Sequence, residues 1–388
     1  MGKAKVYYSD LRALPGTNLL IKLRKLIKAA GIEAIDFEKK YAAVKIHFGE
    51  PGNLAFLRPN YAKVVVDIVK ELGGKPFLTD CNTLYVGRRK DALEHLEAAY
   101  ENGFSPFSCG CHLIIADGLK GTDEADVEVK GGELVQTAKI GRAIMDADIL
   151  ISLSHFKGHE LTGFGGTLKN IGMGSGSRAG KMHMHSDSKP RVQKEACVGC
   201  GVCVRYCAQE AIRVTDKKAV IDSTRCVGCG RCLAVCSYNA IYSPEDSAND
   251  ALNRKIAEYS KAVLDGRPHF HISLVIDVSP YCDCHAENDV AIIPDVGMFA
   301  SFDPVALDQA CADACNAQPV MPGSLLHDNL QAKGACGCDE NCAGSCGADC
   351  NCKDHFTNTS PVTDWTSCLE HAEKIGLGVR AYELIKVK

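Results

Sequence analysis

Two copies of one cysteine pattern constrain this chain more than any other feature. Residues 197–207 read CVGCGVCVRYC and residues 226–236 read CVGCGRCLAVC, so both segments are C-x2-C-x2-C-x3-C. Three closely spaced thiolates can hold three corners of one cubane, and the fourth thiolate then reaches the other cluster. The spacing predicts two 4Fe–4S clusters, one held by Cys197, Cys200, Cys203 and Cys236 and the other by Cys226, Cys229, Cys232 and Cys207. Paired zinc sites are the alternative, but their ligand pairs usually have longer spacers.

This segment resembles the bacterial two-cluster ferredoxins, including an Ala-Ile pair at 211–212 that recurs at 240–241. Ala208 and Ser237 replace the proline that usually follows the fourth cysteine of each pattern. The resemblance implies an inserted α+β ferredoxin domain at 191–245 that transfers electrons.

Composition and charge narrow the class of protein. The chain has 22 cysteines in 388 residues, with 44 basic and 48 acidic residues and a net charge of −4. This balance gives no cationic field for nucleic acid or an anionic membrane. No apolar run has the length of a signal peptide or of a membrane span, so we expect a cytoplasmic protein. In a reducing compartment, thiols are typically metal ligands or redox groups.

Outside the insert, strand and helix patterns alternate along the chain. Alternation of this kind predicts an α/β fold with a mostly parallel sheet, here a host domain that spans 1–190 and 246–388. The expected strands are 42–48, 76–80, 112–117, 148–154, 271–278 and 290–294. The expected helices are 61–72, 91–100, 138–145 and one that Asp303 and Pro304 begin.

Polar residues follow the expected strands at their carboxyl ends, where open parallel sheets bind ligands. They are His47, Glu50, Asp80, Asn82, Asp117, His155, Lys157 and His159. A single histidine is more commonly structural, but several polar strand ends together predict the rim of an active site.

A glycine-rich stretch, residues 155–185, carries further candidate residues. Glycine backbone amides, such as those of Gly163, Gly165 and Gly166, can approach a phosphate or carboxylate, and nearby cations can neutralise it. The candidate cations are Lys157, Lys169, Arg178 and Lys181, and the candidate bases or metal ligands are His155, His159, His183 and His185. We predict catalytic roles for His155, Lys157, His159 and Lys169, and cofactor binding by Gly163, Gly165, Gly166 and Arg178. Cationic neighbours and partial desolvation should lower the pKa of Lys169. The alternative is a flexible loop with surface charges.

Several motifs of the host domain point to one family. They are KIHFGEPGN, TDCNTLYVGRR, SHFKGHELTGFGGTLKNIGMG, the CDC of 282–284, and PDVGMFASFDPVALDQA. Together they resemble the iron–sulfur proteins of domain-of-unknown-function family 362. This resemblance covers most of residues 1–320 and implies iron–sulfur binding and an α/β fold, with no settled reaction.

The segment GFGGTLK is similar to the lysine-containing segment of nickel-pincer lactate racemases. This weaker resemblance implies a nucleotide-type cofactor on Lys169, with His159 as acid and base and His185 as a metal ligand. Asn170-Ile171-Gly172 departs from the Pro-Gly region expected there.

The other cysteines form two further groups. Cys282 and Cys284 follow a strand, and Cys311 and Cys315 lie one turn apart on a helix, so these four predict a third cluster or metal site. Redox-inert buried thiols are the alternative. Residues 336–352 place six thiols in a C-x-C-x3-C-x3-C-x3-C-x-C pattern that predicts a metal-organised loop. Thiolates of this kind accept iron–sulfur, zinc or copper(I).

Three functional hypotheses follow from these observations. The first is an iron–sulfur oxidoreductase or electron-transfer protein, in which the clusters exchange electrons with the His/Lys/Asp-lined site. Its partner is a redox protein or a small-molecule substrate. The second is a nickel-pincer-like racemase or epimerase, and the third is a metal-handling protein or pure electron carrier.

Overall fold

The computed structural model describes residues 2–84, 87–185, 189–226, 232, 236, 238, 240–242, 246–332 and 353–388. Its strands are β1 (Ala4–Ser9), β2 (Tyr41–Lys45), β3 (Lys75–Asp80), β4 (Leu113–Ile115), β5 (Glu124–Glu128), β6 (Thr137–Gly141), β7 (Ile149–His155), β8 (Lys157–His159), β9 (Gly163–Gly165), β10 (Arg191–Val192), β11 (Ile212–Thr215), β12 (Lys218–Ile221), β13 (Ile241–Tyr242), β14 (His269–Val275), β15 (Gly297–Ser301) and β16 (Tyr382–Lys386).

Helices connect and cover these strands. They are α1 (Leu19–Ala29), α2 (Pro59–Glu71), α3 (Ala92–Glu101), α4 (Pro106–Cys109), α5 (Arg142–Asp146), α6 (Thr167–Ser175), α7 (Arg178–His185), α8 (Val202–Arg205), α9 (Asp246–Leu264), α10 (Pro304–Asn316), α11 (Leu325–Ala332), α12 (His355–Thr359) and α13 (Thr366–Lys374), with a 3₁₀ turn at Ile32–Ala34. Within the described residues, no helix is long and apolar enough to span a membrane.

An eight-stranded sheet forms the centre of the fold, in the order β16-β1-β15-β14-β7-β2-β3-β4. The pairs from β14 to β4 are parallel, as is the pair of β1 with β16. Only β15 runs against its neighbours in this sheet. The α/β fold with a mostly parallel sheet is therefore confirmed.

Alternating residues of the central strands are buried in two apolar cores, one on each face of the sheet. Ala42 and Val44 of β2 pack with α1 and α2, whereas Ala43 packs on the opposite face with α6, α9 and α10. Strands covered on both faces are nearly continuous in hydrophobicity, which is why the sequence showed apolar runs instead of strict alternation.

Two of the expected elements differ from the structure. The segment expected as a helix at 138–145 begins as β6, because Ala138 and Ile140 are buried in alternation while Lys139 faces partly outward and the strand pairs with β5. Residues 290–294 form no strand, although Ile292 and Ile293 are buried. The strand that completes the sheet there is β15. The helix after Asp303 is α10, and the Asp303 side chain accepts the backbone N–H groups of Val305 and Ala306 as expected.

The sheet takes strands from both sides of the expected insert, because β14, β15 and β16 follow it in the chain. At the two ends of that segment, β10 pairs with β13, while β11 and β12 form a hairpin within it. A small apolar cluster that includes Cys197, Cys203, Ile212 and Ile241 belongs to the segment alone.

Candidate functional site

A cavity with about 750 Å³ of empty space, open to solvent on one side, lies where β2, β3 and β7 end. Its polar lining residues are Lys45, His47, Asp80, Cys81, Thr83, Arg89, His155, Lys157, Lys169, Asn170, Lys181, His185, Cys282 and Cys284. We call this space the central cavity. Its position is the one that an open parallel sheet offers to ligands.

A buried ion pair forms one wall of the central cavity. Lys45 Nζ, at the end of β2, lies 2.8 Å from Asp80 Oδ1 at the end of β3. The same ammonium donates a 2.8 Å hydrogen bond to Asn170 Oδ1 on α6. Burial raises the pKa of Asp80, but the charge of Lys45 and those of other cationic neighbours together outweigh it and hold that pKa well below its usual range. Burial also lowers the pKa of Lys45, although the charge of Asp80 opposes this.

A second buried network places Arg89 beside His47. Arg89 Nε donates to Glu50 Oε2 at 2.8 Å, and its Nη1 donates to His47 Nε2 at 2.7 Å. Burial, reinforced by the charge of Arg89, lowers the pKa of His47 to about 3. His47 is therefore a neutral imidazole at physiological pH. Sequence reasoning did not single out Arg89, although it lies in the TDCNTLYVGRR motif.

His155 is held on both sides by acceptors. Its Nδ1 lies 2.9 Å from Asp283 Oδ1 and its Nε2 lies 2.7 Å from the carbonyl oxygen of Ile276. Both ring nitrogens are thus engaged with oxygen atoms. Lys157 Nζ lies 3.5 Å from the other oxygen of Asp283. His155 and Lys157 therefore fix Asp283, and neither ring nitrogen of His155 is available as a base in this arrangement.

The glycine-rich stretch folds into the β8–β9 hairpin followed by α6. Two backbone amides at the start of α6 donate to a carboxylate of the protein itself. The N–H groups of Thr167 and Leu168, which begin α6, donate to the carboxylate of Asp308 at 2.7 and 2.8 Å. Burial raises the pKa of Asp308 to about 6. The amides of Thr167 and Leu168 are thus engaged by a carboxylate from α10, whereas anion binding by the amides of Gly163, Gly165 and Gly166 stays a prediction.

The remaining residues of this stretch are divided between the cavity and other places. Gly166 lines the central cavity, and Gly165 lies beside Lys157 and Lys169. Gly163 lies against Trp365, away from the cavity lining. Arg178 packs against Gly121 at the start of α7. The structure thus brings only part of the predicted cofactor-binding set to the cavity.

His183 and two predicted rim residues have other partners. His183 contacts Tyr259 on α9, with 3.1 Å between its Nδ1 and the phenol oxygen. Asn82 and Asp117 hydrogen-bond to each other at 3.0 Å. None of these three side chains belongs to the lining of the central cavity.

Lys169 is paired with a cysteine. Its Nζ donates to Cys282 Sγ at 3.4 Å. Burial lowers the pKa of Lys169, but Cys282, Cys284 and Glu160 together outweigh burial, and the pKa of Lys169 is raised. The expected lowering of this pKa is therefore wrong, because sequence reasoning did not place a thiolate beside the ammonium.

His159 and His185 complete the surroundings of Lys169. His159 Nδ1 accepts the N–H groups of Leu161 and Thr162, each at 3.1 Å, so its proton is on Nε2. Burial and then the charge of Lys169 lower the pKa of His185 to about 3. Both imidazoles are buried.

The four cysteines of the expected third metal site are not brought together. Cys282 and Cys284 line the central cavity, whereas Cys311 and Cys315 of α10 are packed in the apolar core. Burial raises the pKa values of both α10 thiols. In the part of the chain that the structure describes, no group of three or more His, Cys, Asp or Glu side chains could hold a metal ion. Cysteines 336–352 lie outside the described residues, so the metal-organised loop stays a prediction.

A second cavity, partly open to solvent, lies in the segment with the repeated cysteine pattern. We call it the cysteine cavity, and its cysteine lining is Cys197, Cys200, Cys203 and Cys236. These four are the set that the cross-over rule predicts for one cubane. Of the second predicted set, Cys229 lies outside the described residues.

Backbone N–H groups point to cysteine sulfurs at matching places in the two repeats. The N–H of Ala211 donates to Cys207 Sγ at 3.2 Å, and the N–H of Ala240 donates to Cys236 Sγ at 3.3 Å. Each alanine follows its cysteine by four residues, as the repeated Ala-Ile pair requires. The N–H of Ala219 donates to Cys197 Sγ at 3.3 Å.

The chain matches one protein-family model and is similar to solved structures. Residues 42–313 match the model of the family described as "Domain of unknown function (DUF362)". No curated protein matches the chain. The lactate racemase apoprotein from Thermoanaerobacterium thermosaccharolyticum is a similar solved structure, with a TM-score of 0.37 and 10% identity over 71% of this chain and 51% of that chain.

A crystal structure of a protein from Thermotoga maritima is similar with a TM-score of 0.39 and 15% identity, over 76% of this chain and 57% of that chain. This chain therefore spans little more than half of either solved protein. Because the family model matches well over half of this chain, the protein belongs to the DUF362 family.

Proposed function

We propose that this protein is an iron–sulfur redox protein. In this proposal, the segment at 191–245 binds two 4Fe–4S clusters, and the central cavity binds the small molecule with which electrons are exchanged. The observation that carries the proposal is the cysteine cavity, where four thiols from both repeats line one space.

The donor set fits a cubane better than a single ion. Soft thiolates suit iron–sulfur clusters and zinc alike. A single zinc ion draws its ligands to about 2.3 Å, whereas a cubane distributes four thiolates over four corners. The four thiols that line the cysteine cavity come from both repeats, as the cross-over spacing requires for a cubane. When bound, the clusters would supply one-electron transfer.

The backbone N–H groups of Ala211, Ala219 and Ala240 support the same proposal. Each already donates to a cysteine sulfur. Hydrogen bonds to thiolate sulfurs delocalise negative charge and are one of the ways by which a protein sets a cluster's potential.

The charges of the central cavity favour a small anion as its ligand. Lys181 Nζ donates to the carbonyl oxygen of Gly176 at 2.6 Å, and no described carboxylate lies within ion-pair distance of it. Lys157 and Lys169 add two more ammonium groups to the lining, although Asp283 and Cys282 already partner them. A buried charge without a partner is costly, so a carboxylate or phosphate bound here is favourable.

Iron and sulfide assays on anaerobically purified protein test the clusters. We expect about eight irons per chain from two cubanes, and about four in Cys200→Ala, which removes one ligand of the cysteine cavity. The matched control is Cys111→Ala, a buried cysteine outside the repeats, which should keep about eight. Fewer than four irons in the unmodified protein, or full loading of Cys200→Ala, would refute the proposal.

Native mass spectrometry of the same protein tests the ligand of the central cavity. We expect a small anion to accompany the chain and to be lost in Lys181→Met. The control is Lys139→Met, because Lys139 forms ion pairs with Glu124 and Asp126 away from the cavity lining. Equal occupancy in both variants would count against an anion site at Lys181.

A racemase-like function is the second candidate, and one observation favours it. Lys169, His159 and His185, the residues that the resemblance implied, lie close enough that the first two influence the pKa of His185. Peptide mass mapping decides between the candidates. A covalent nucleotide adduct on Lys169 supports a nickel-pincer-like racemase or epimerase, whereas the iron–sulfur proposal expects an unmodified lysine paired with Cys282.

A further inference from the structure

We propose that Cys282 and Cys284 form a redox-active dithiol in the central cavity, which exchanges with a small disulfide that carries a carboxylate. The inference uses the central cavity of the proposed function and goes beyond it, because the exchange needs no cluster.

The chain segment that carries the two cysteines is held rigidly. Asp283, between them, is fixed by His155 and Lys157. Its carbonyl oxygen accepts the N–H of Glu50 at 2.9 Å, and the N–H of His285 donates to the carbonyl oxygen of Cys282 at 3.0 Å. Both neighbouring cysteines line the central cavity. Two thiols one residue apart are thereby presented to the same space.

The two thiols have different surroundings, as an attacking and a resolving cysteine require. Lys169 Nζ donates to Cys282 Sγ at 3.4 Å. A hydrogen bond from Cys284 and the charge of Lys169 hold the pKa of Cys282 well below its usual range. The same hydrogen bond, together with burial, raises the pKa of Cys284. A thiolate is the nucleophile in disulfide exchange, so Cys282 attacks and Cys284 resolves.

Other buried cysteines lack this combination. Cys311 and Cys368 are in the apolar core, and burial raises their pKa values with no cation at hydrogen-bond distance of either sulfur among the described residues. Thiols in such surroundings are inert. Cys81 also lines the central cavity, but burial raises its pKa. We therefore expect the 282–284 pair to react faster than Cys81, Cys311 or Cys368.

The exchange balances in two steps. The Cys282 thiolate attacks one sulfur of the small disulfide, so an S–S bond to Cys282 forms while the original S–S bond breaks and one thiolate leaves. Cys284 then loses its proton to water and attacks the Cys282 sulfur. This closes the 282–284 disulfide and releases the second thiolate. The protein's dithiol is oxidised by two electrons, and the small disulfide is reduced by two.

The cavity defines the class of substrate. Its lining combines apolar and charged side chains and is partly open to solvent, as small-molecule sites are. The ammonium groups of Lys157 and Lys181 can receive a carboxylate near the two sulfurs, because both line the same cavity. Glutathione disulfide is therefore a suitable probe, since it is a small disulfide with carboxylates.

The test incubates the anaerobic full-length protein with glutathione disulfide, blocks free thiols with an alkylating reagent and maps the peptides by mass. We expect the peptide that contains 282–284 to lose two hydrogens and to escape alkylation. Cys284→Ala should stop at a mixed disulfide between glutathione and Cys282. Lys169→Met should slow the reaction at least tenfold, because it removes the cation that stabilises the thiolate. The control Cys311→Ala should react as the unmodified protein does.

Two readouts keep the outcomes separate. The fluorescence of Trp365, the only tryptophan, reports whether each variant is folded. The iron content reports the clusters independently of the dithiol. A folded protein whose 282–284 peptide stays fully alkylated, or which reacts no faster there than at Cys311, would overturn the dithiol even with about eight irons bound. An oxidised dithiol with little iron would overturn the cluster proposal instead.

Discussion

Four buried histidines should make the host domain sensitive to mild acid. Burial is the largest cause that lowers the pKa values of His47 and His185 to about 3, and it holds those of His95 and His271 well below the ordinary value. In the unfolded chain these groups would titrate near pH 6.5. As pH falls below that value, the unfolded chain binds protons that the folded chain refuses, so stability is lost.

The size of the effect follows from this difference. At pH 5.5, a histidine with an unfolded pKa of about 6.5 and no proton in the fold costs RT ln 11, or about 1.4 kcal/mol. Four such groups give at most about 5.6 kcal/mol. Asp308 opposes them, because its raised pKa of about 6 lets the fold bind a proton first, which contributes about 0.8 kcal/mol at pH 5.5. The pKa values of Asp80 and Asp283 are lowered in the fold, so the stability that these carboxylates contribute is lost only as pH falls below about 3.8.

Urea unfolding at pH 7.5 and 5.5 measures the prediction. Trp365 packs against Phe164 and its ring N–H faces the Asp354 carboxylate at 3.1 Å, so its fluorescence follows the host core. His271→Gln should reduce the loss of stability between the two pH values by about 1.4 kcal/mol. Equal stability at both pH values, or an undiminished loss in His271→Gln, would show that these histidines are not held neutral by burial.

Three further substitutions test contacts that stabilise the host domain. Glu258→Gln on α9 should lower the free energy of unfolding by about 3 kcal/mol, because the fully buried carboxylate accepts three consecutive backbone N–H groups at 133–135 and faces His371. Urea midpoints measure it. Lys45→Met should cost about 3–5 kcal/mol by leaving Asp80 unpaired, and adding Asp80→Asn should restore part of that stability in a double-mutant cycle. Gly172→Ala should separate α6 from α9, because the new Cβ would lie 2.3 Å from the carbonyl oxygen of Ile256. A thermal midpoint equal to that of the unmodified protein would contradict this close approach.

The sequence alone determined those features whose physical cause is local. The alternation of apolar runs and turns predicted the parallel sheet and helices such as α2 and α3, because those patterns depend on neighbouring residues. The cysteine spacing was enough to predict a ligand set, since the reach of three closely spaced thiolates is a property of a short segment. Asp303 and Pro304 marked the start of α10 for the same reason.

The tertiary structure decided what depends on residues far apart in the chain. Asp308, which accepts from the first amides of α6, is 141 residues from Thr167 and 140 from Leu168, so the glycine-rich stretch could not reveal this internal partner. Lys169 acquires a raised pKa only because the fold places Cys282 beside it, and the chain separates these two by 113 residues. Likewise, the antiparallel pairing of β15 with β14 depends on the tertiary structure. So does the contact between Arg89 and His47. Charges and hydrogen bonds act between side chains that are close in space. A sequence gives the identity of those side chains but not which of them the fold brings into contact.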